Sequence, residues 1–66
     1  MHSFDELFAK YQAMYDVIGL RGRAVMRDDG EGRSGFYNPT THVWDWYAWD
    51  MMLEGYTMTG STRFAK

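Results

Sequence analysis

The chain contains no cysteine, which excludes disulfides, thiolate zinc sites and cysteine nucleophiles. It contains a single proline, and no lysine or arginine between Arg33 and Arg63. No apolar run approaches the roughly 18 residues of a membrane span, and no apolar segment of signal-peptide type follows the N-terminus. A cytoplasmic protein without a membrane partner is therefore the expectation. Basic residues are also few overall: 7 Lys and Arg stand against 9 Asp and Glu, a net charge of −2. That balance argues against a general binder of nucleic acid or anionic membrane.

Aromatic residues, in contrast, are abundant. Three Trp, five Tyr, four Phe and six Met lie within 66 residues, enough apolar material for a core in one small domain. A chain this short without disulfide or metal has little margin of stability and is expected to recruit a second copy or a partner.

The sequence predicts a mainly α architecture, a two-helix antiparallel hairpin joined by a Gly-rich connecting loop with room for a short β-hairpin. The first helix is expected over about 3–18. Ser3 with Glu6 forms a capping box, and Asp5 and Glu6 put negative charge in the first turn. His2 is placed to cover that turn as a staple-like residue. Phe4, Leu7, Phe8, Tyr11, Met14, Tyr15 and Ile18 recur at steps of three and four, and Gly19 supplies a C′ stop. Residues 20–37 read as loop or hairpin, with Asp28-Asp29-Gly30 as the turn signal. The second helix is expected over about 39–54, with Asn38 as N-cap, Pro39 at the first helical position and Gly55 as the stop. Residues 56–66 are expected to be a mobile tail.

On a helical wheel this second helix has two apolar faces. Val43, Trp44, Tyr47, Ala48 and Met51 occupy one, and Trp46, Trp49, Leu53 and Tyr56 the other, with Asp45 beside the second. One neighbouring helix covers only one of these faces. Trp46 and Trp49 are then either covered by the loop as core, or left as an interaction surface for a second copy or a foreign protein. The second possibility makes Asp45, Trp46, Trp49, Leu53 and Tyr56 the candidate partner-binding residues, on a stretch whose only charges are Asp45, Asp50 and Glu54. Arg21, Arg23, Arg27 and Arg33 form a competing candidate for nucleic-acid contact, reduced to a local charge of +1 by Asp28, Asp29 and Glu31.

Gly35-Phe36-Tyr37, followed by Val43, Trp46 and Trp49, resembles a G-x-Y…W-x-x-W pattern in short accessory proteins of tailed bacteriophages, with Phe4-Asp5 as the upstream helical element. The resemblance implies W-x-x-W on a helix and a product that binds and disables a host bacterial protein. Protein inhibition, including inhibition of the anti-CRISPR type, is the function it implies; a small nucleic-acid-contacting regulator and a homodimer are the alternatives.

No catalytic chemistry is expected. Gly30, Gly32 and Gly35 match a dinucleotide-loop spacing but have no βαβ unit around them. Asp28, Asp29 and Glu31 lack the closing Glu of a calcium loop. His42 with Asp45 is two ligands, too few for zinc. Asp50 and Glu54 have nothing nearby to raise a carboxyl pKa. Neither an enzyme, a cofactor nor a metal site is expected.

Overall fold

The computed structural model describes residues 3–63, as one helix followed by a four-stranded antiparallel sheet. Helix α1 spans Phe4–Val17 and the strands are β1 (Met26–Asp28), β2 (Arg33–Asn38), β3 (Val43–Asp50) and β4 (Gly55–Thr62). The strands lie in chain order, each paired with its sequence neighbours. His2 and the last three residues of the expected tail lie outside the described residues.

Helix α1 forms as its sequence signals require. The Ser3 hydroxyl accepts from the Glu6 N–H at 3.1 Å while the Glu6 carboxylate accepts from the Ser3 N–H at 2.8 Å. At the other end Gly19 takes a φ of +75°. This lets Gly19 N–H reach the Asp16 carbonyl and Leu20 N–H reach the Tyr15 carbonyl, closing a Schellman motif. Leu7, Tyr11 and Tyr15, four residues apart, form the buried stripe, flanked by half-buried Phe4, Phe8 and Met14. Ile18 is exposed, because the chain has already turned away from the sheet.

The second helix is not formed. The chain over 39–54 is a turn, strand β3 and a second turn, so the fold is a helix packed on a sheet and not a mainly helical hairpin. The physical reason sits at Asn38. Its side-chain oxygen accepts from the N–H groups of Thr40 (2.9 Å) and Thr41 (3.1 Å), as an N-cap does, and His42 N–H reaches the Asn38 carbonyl at 2.8 Å. One helix-like turn is therefore made. His42 then adopts a left-handed φ of +64°, which ends the turn and sends Val43 into an extended strand. From there Val43, Trp44, Trp46, Tyr47 and Trp49 are residue types that favour a pleated surface, and alternation splits the members of each wheel face between the two sides of the strand. Residues 56–62 of the expected mobile tail 56–66 belong to β4; Thr57 and Thr59 are β-branched residues well suited to it.

The same turn design recurs between β3 and β4. Asp50 accepts from Met52 and Leu53 N–H groups, and Glu54 takes the left-handed φ of +55°. Gly55, expected as a helix stop, opens β4. The hairpin foreseen at Asp28-Asp29-Gly30 does form, joining β1 to β2; Gly30 and Gly32 hold φ values of +79° and +88° there.

Helix α1 covers one side of the sheet, crossing from Tyr56 of β4, against Phe4, to Val25 just before β1, whose N–H donates to the Tyr15 hydroxyl. Phe36 of β2 is the centre of this core. Its ring stacks on Tyr11 (centroids 5.2 Å apart, planes 13° apart) and meets Phe8 and Tyr47 edge-to-face. Gln12 ties the 20–25 connection to the helix, accepting from Ala24 N–H and donating to the Gly22 carbonyl. The Cα envelope is only 16 Å in its shortest dimension, the thickness of one sheet plus one helix.

The opposite side of the sheet has one tight contact. Gly35 pairs with Trp46 across β2 and β3, and the indole lies flat over the glycine; a Cβ on residue 35 would sit 2.7 Å from the ring. Replacing Gly35 with alanine is expected to lift the Trp46 ring, cost about 2 kcal/mol as overpacking does, and move tryptophan emission to longer wavelength. Urea unfolding followed by fluorescence measures both.

Candidate functional site

Alternation along β3 divides the candidate residues between two sides of the sheet. Asp45, Tyr47 and Trp49 point to the helix side, and Trp44, Trp46 and Ala48 to the other. Asp45, expected at a partner surface, is 5% exposed. Its carboxyl group accepts from Tyr11 Oη at 2.7 Å, Asn38 Nδ2 at 3.0 Å and Ser61 Oγ at 2.9 Å. With its own proton given to Asp45, the Tyr11 hydroxyl oxygen accepts from Tyr47 Oη at 2.7 Å. Asp45 is thus a structural acceptor for α1, β2 and β4.

Trp46 is also withdrawn from any surface, at 6% exposure. Gly35 lies beneath it, the Arg33 guanidinium stacks over it with 5.2 Å from the guanidinium carbon to the ring centroid, and its Nε1 donates to Thr62 Oγ1. Trp49 is 53% exposed and makes an edge-to-face contact with half-buried Tyr56. Leu53 is exposed on the β3–β4 turn. Of the five expected partner-binding residues, Trp49, Leu53 and Tyr56 therefore remain near one another at one end of the sheet, and Asp45 and Trp46 are interior.

That end holds two further residues outside the expected partner-binding set, Met51, which was expected on the other apolar face of the helix, and Met52. Met51 is 83% and Met52 94% exposed, at the tip of the β3–β4 turn beside Leu53. The missed signal is the similarity of the two turns: Asp50-Met51-Met52-Leu53-Glu54 follows the plan of Asn38-Pro39-Thr40-Thr41-His42. The tip is also more acidic than its own stretch of sequence implies. In a meander the β1–β2 and β3–β4 turns fall at the same end of the sheet, two strand spacings or about 10 Å apart. Asp28, Asp29 and Glu31 therefore join Asp50 and Glu54 there. Arg33 is tied to Asp29 by an ion pair, which, with N–H groups of Glu31 and Arg33, holds the Asp29 carboxyl below the usual carboxylate range.

The four candidate arginines separate. Arg27 and Arg33 lie on the open side of the sheet, Arg27 over Trp44 at 5.3 Å to the ring centroid. Arg23 borders a shallow depression on the helix side with Phe8, Ala9 and Gln12, and Arg21 is exposed in the connection before β1. No group of three or more His, Asp or Glu close enough to hold a metal ion occurs among the described residues. Among them, too, no helix is long and apolar enough to cross a membrane.

No protein family, curated protein or solved structure matches the chain. The W-x-x-W element of the phage-like pattern lies on β3 and not on the helix that the resemblance implies, so its two tryptophans face opposite sides of the sheet.

Burial pushes the Tyr11 phenol far above its ordinary value, and its bonds to Tyr47 and Asp45 add to the shift. A raised folded-state pKa contributes stability that is fully present below the unfolded pKa of about 10 and is lost as pH rises beyond it. Unfolding free energy is expected to fall by about 1.4 kcal/mol per pH unit above pH 10 from this one group. Tyr11→Phe should remove that slope while lowering stability near pH 7 by about 2 kcal/mol, the worth of a hydrogen bond to a carboxylate. Urea melts at pH 7 and at several points above pH 10 provide the check.

Proposed function

We propose that this is a stoichiometric protein-binding module that docks through the β3–β4 hairpin tip. The supporting observation is that Trp49, Met51, Met52 and Leu53, all at least half exposed, crowd one end of the sheet inside a rim of carboxylates. Exposed apolar side chains scattered singly are ordinary on a soluble protein, whereas four at one tip form a patch of the kind used for recognition. The tip also combines the two parts of a binding surface. Tryptophan and methionine supply adaptable apolar anchors, and the charged rim sets orientation and association rate.

The partner suited to this tip is a protein with an apolar groove bordered by Lys or Arg. The groove would take Met52 and Leu53, with Trp49 along one wall. Asp50 is already used to accept the Met52 and Leu53 N–H groups, so the turn is held in shape before binding and little loop entropy is lost.

A photo-crosslinking residue at position 52 is expected to capture one partner, and the same residue at exposed position 10 is not. Trp49→Ala should weaken binding of that partner by about 2 kcal/mol or more, while loss of the edge-to-face contact with Tyr56 lowers the melting temperature by several degrees and leaves the chain folded. Equal capture from both positions, or full-strength binding by Trp49→Ala, would place recognition elsewhere. Light scattering over a dilution series separates a foreign partner from a second copy of the chain.

A further inference from the structure

The sheet has two edges, and they are built differently. β1 is three residues long and carries Arg27 and Asp28, so it offers little strand to a neighbour. β4 is eight residues long, and Gly55–Thr62 contains neither a charged residue nor a proline. Alternate N–H and C=O groups of an edge strand point away from the sheet, and short length, charge and proline are what usually keep other strands off. Among the described strands β4 pairs only with β3, so its outer edge is open.

Two further features decide what kind of strand completes this edge. Met58, in the middle of β4, is 52% exposed although its register partner Tyr47 is buried. Paired residues share a side, so Met58 lies on the helix side of the sheet with half of its surface open. The ends of the strand also carry opposite charge. Glu54 stands just before it and Arg63 just after it, both exposed and neither ion-paired to a described residue of its own chain.

We propose that β4 pairs antiparallel with β4 of a second copy about a two-fold axis, joining two four-stranded sheets into one of eight strands. In this arrangement Glu54 of each copy meets Arg63 of the other, so the ion pair is made twice. The two Met58 side chains lie on the same side, next to the axis, and cover each other. Parallel pairing would set Glu54 against Glu54 and Arg63 against Arg63. A foreign peptide has the backbone groups but no reason to carry the same two charges in the opposite order. The bulge at Thr59, which has no register partner in β3, interrupts the edge at its middle. In the two-fold pair it falls beside the axis, and the segment before it in each copy lies opposite the segment after it in the other. The interface does not rest on the docking function assigned to the hairpin tip, and it sets the two tips at opposite ends of the joined sheet.

The test is sedimentation equilibrium of the full chain over a dilution series. The expected result is a reversible equilibrium between 7.8 kDa and twice that mass, with dimer predominant at about 300 μM, as suits an interface of small area. Met58→Lys should raise the dissociation constant about tenfold or more by placing two ammonium groups together at the axis. Arg63→Glu should raise it about fivefold, and adding Glu54→Arg to that variant should return it to within about twofold of the wild type. Backbone amide exchange should slow with rising protein concentration in β4 and not in β1. Circular dichroism confirms that each variant is folded; Arg63 lies beyond the last strand, so the charge swap stands if Met58→Lys does not fold. Met52→Ser at the tip should dimerise as the wild type does. The proposal is overturned by a single mass of 7.8 kDa at about 300 μM, or by wild-type association of folded Met58→Lys. Failure of the charge swap to restore association, protection confined to other elements, or loss of the dimer in Met52→Ser would overturn it as well.

Discussion

A carboxyl group placed inside a 66-residue protein has to be surrounded by donors, and the arrangement around Asp45 follows from that requirement. Its three donors come from the middle of α1, the end of β2 and the far part of β4. Satisfying them fixes the height and rotation of the helix, since Tyr11 must reach Asp45 while its ring stacks on Phe36. It also fixes β4 against β3 on the far side of a bulge at Trp46/Tyr47, where a simple ladder would slip. No buried side-chain nitrogen or oxygen among the described residues lacks a partner, so this polar centre is a closed network and not a strained one.

With the helix side occupied, β3 serves two environments at once. Tyr47 and Asp45 complete the core, while Trp44 and Trp46 on the reverse side lie against the sheet beneath the Arg27 and Arg33 guanidinium groups. The strand then ends in a turn whose apolar residues meet no core at all. A chain of this size cannot cover every large side chain it carries, and Trp49, Met51, Met52 and Leu53 are left exposed together at the acidic β3–β4 tip.

Local signals were legible wherever a few neighbouring residues decide the outcome. Ser3 with Glu6, Gly19 after the helix and Asp-Gly in the first hairpin each act within five residues, and each is found where its chemistry places it. The element that decides the fold was read wrongly because its first step is shared. Asn38 makes the same side-chain bonds whether a helix or a single turn follows, and only the left-handed backbone of His42 distinguishes them. Nothing in the residue type histidine announces that conformation. The β3 residues of each apolar face drawn for a helix over 39–54 divide between the two sides of the strand, because a wheel groups positions three and four apart whereas a strand groups positions two apart. Trp49 and Leu53 kept their exposure in the new fold, whereas Asp45 and Trp46 lost theirs. Burial on a strand depends on what lies across the sheet, here Tyr11 and Gly35, both distant in sequence.

The order of the strands carries a kinetic meaning. Every ladder joins consecutive segments, so the sheet can grow by successive hairpins, each closing a short loop with little entropy lost. The bonds of Tyr11 to Asp45 and to Tyr47, spanning 34 and 36 positions, are of longer range. They can form only once the hairpins have brought β3 to its place, which makes docking of α1 the step that converts a loosely associated meander into a single cooperative unit.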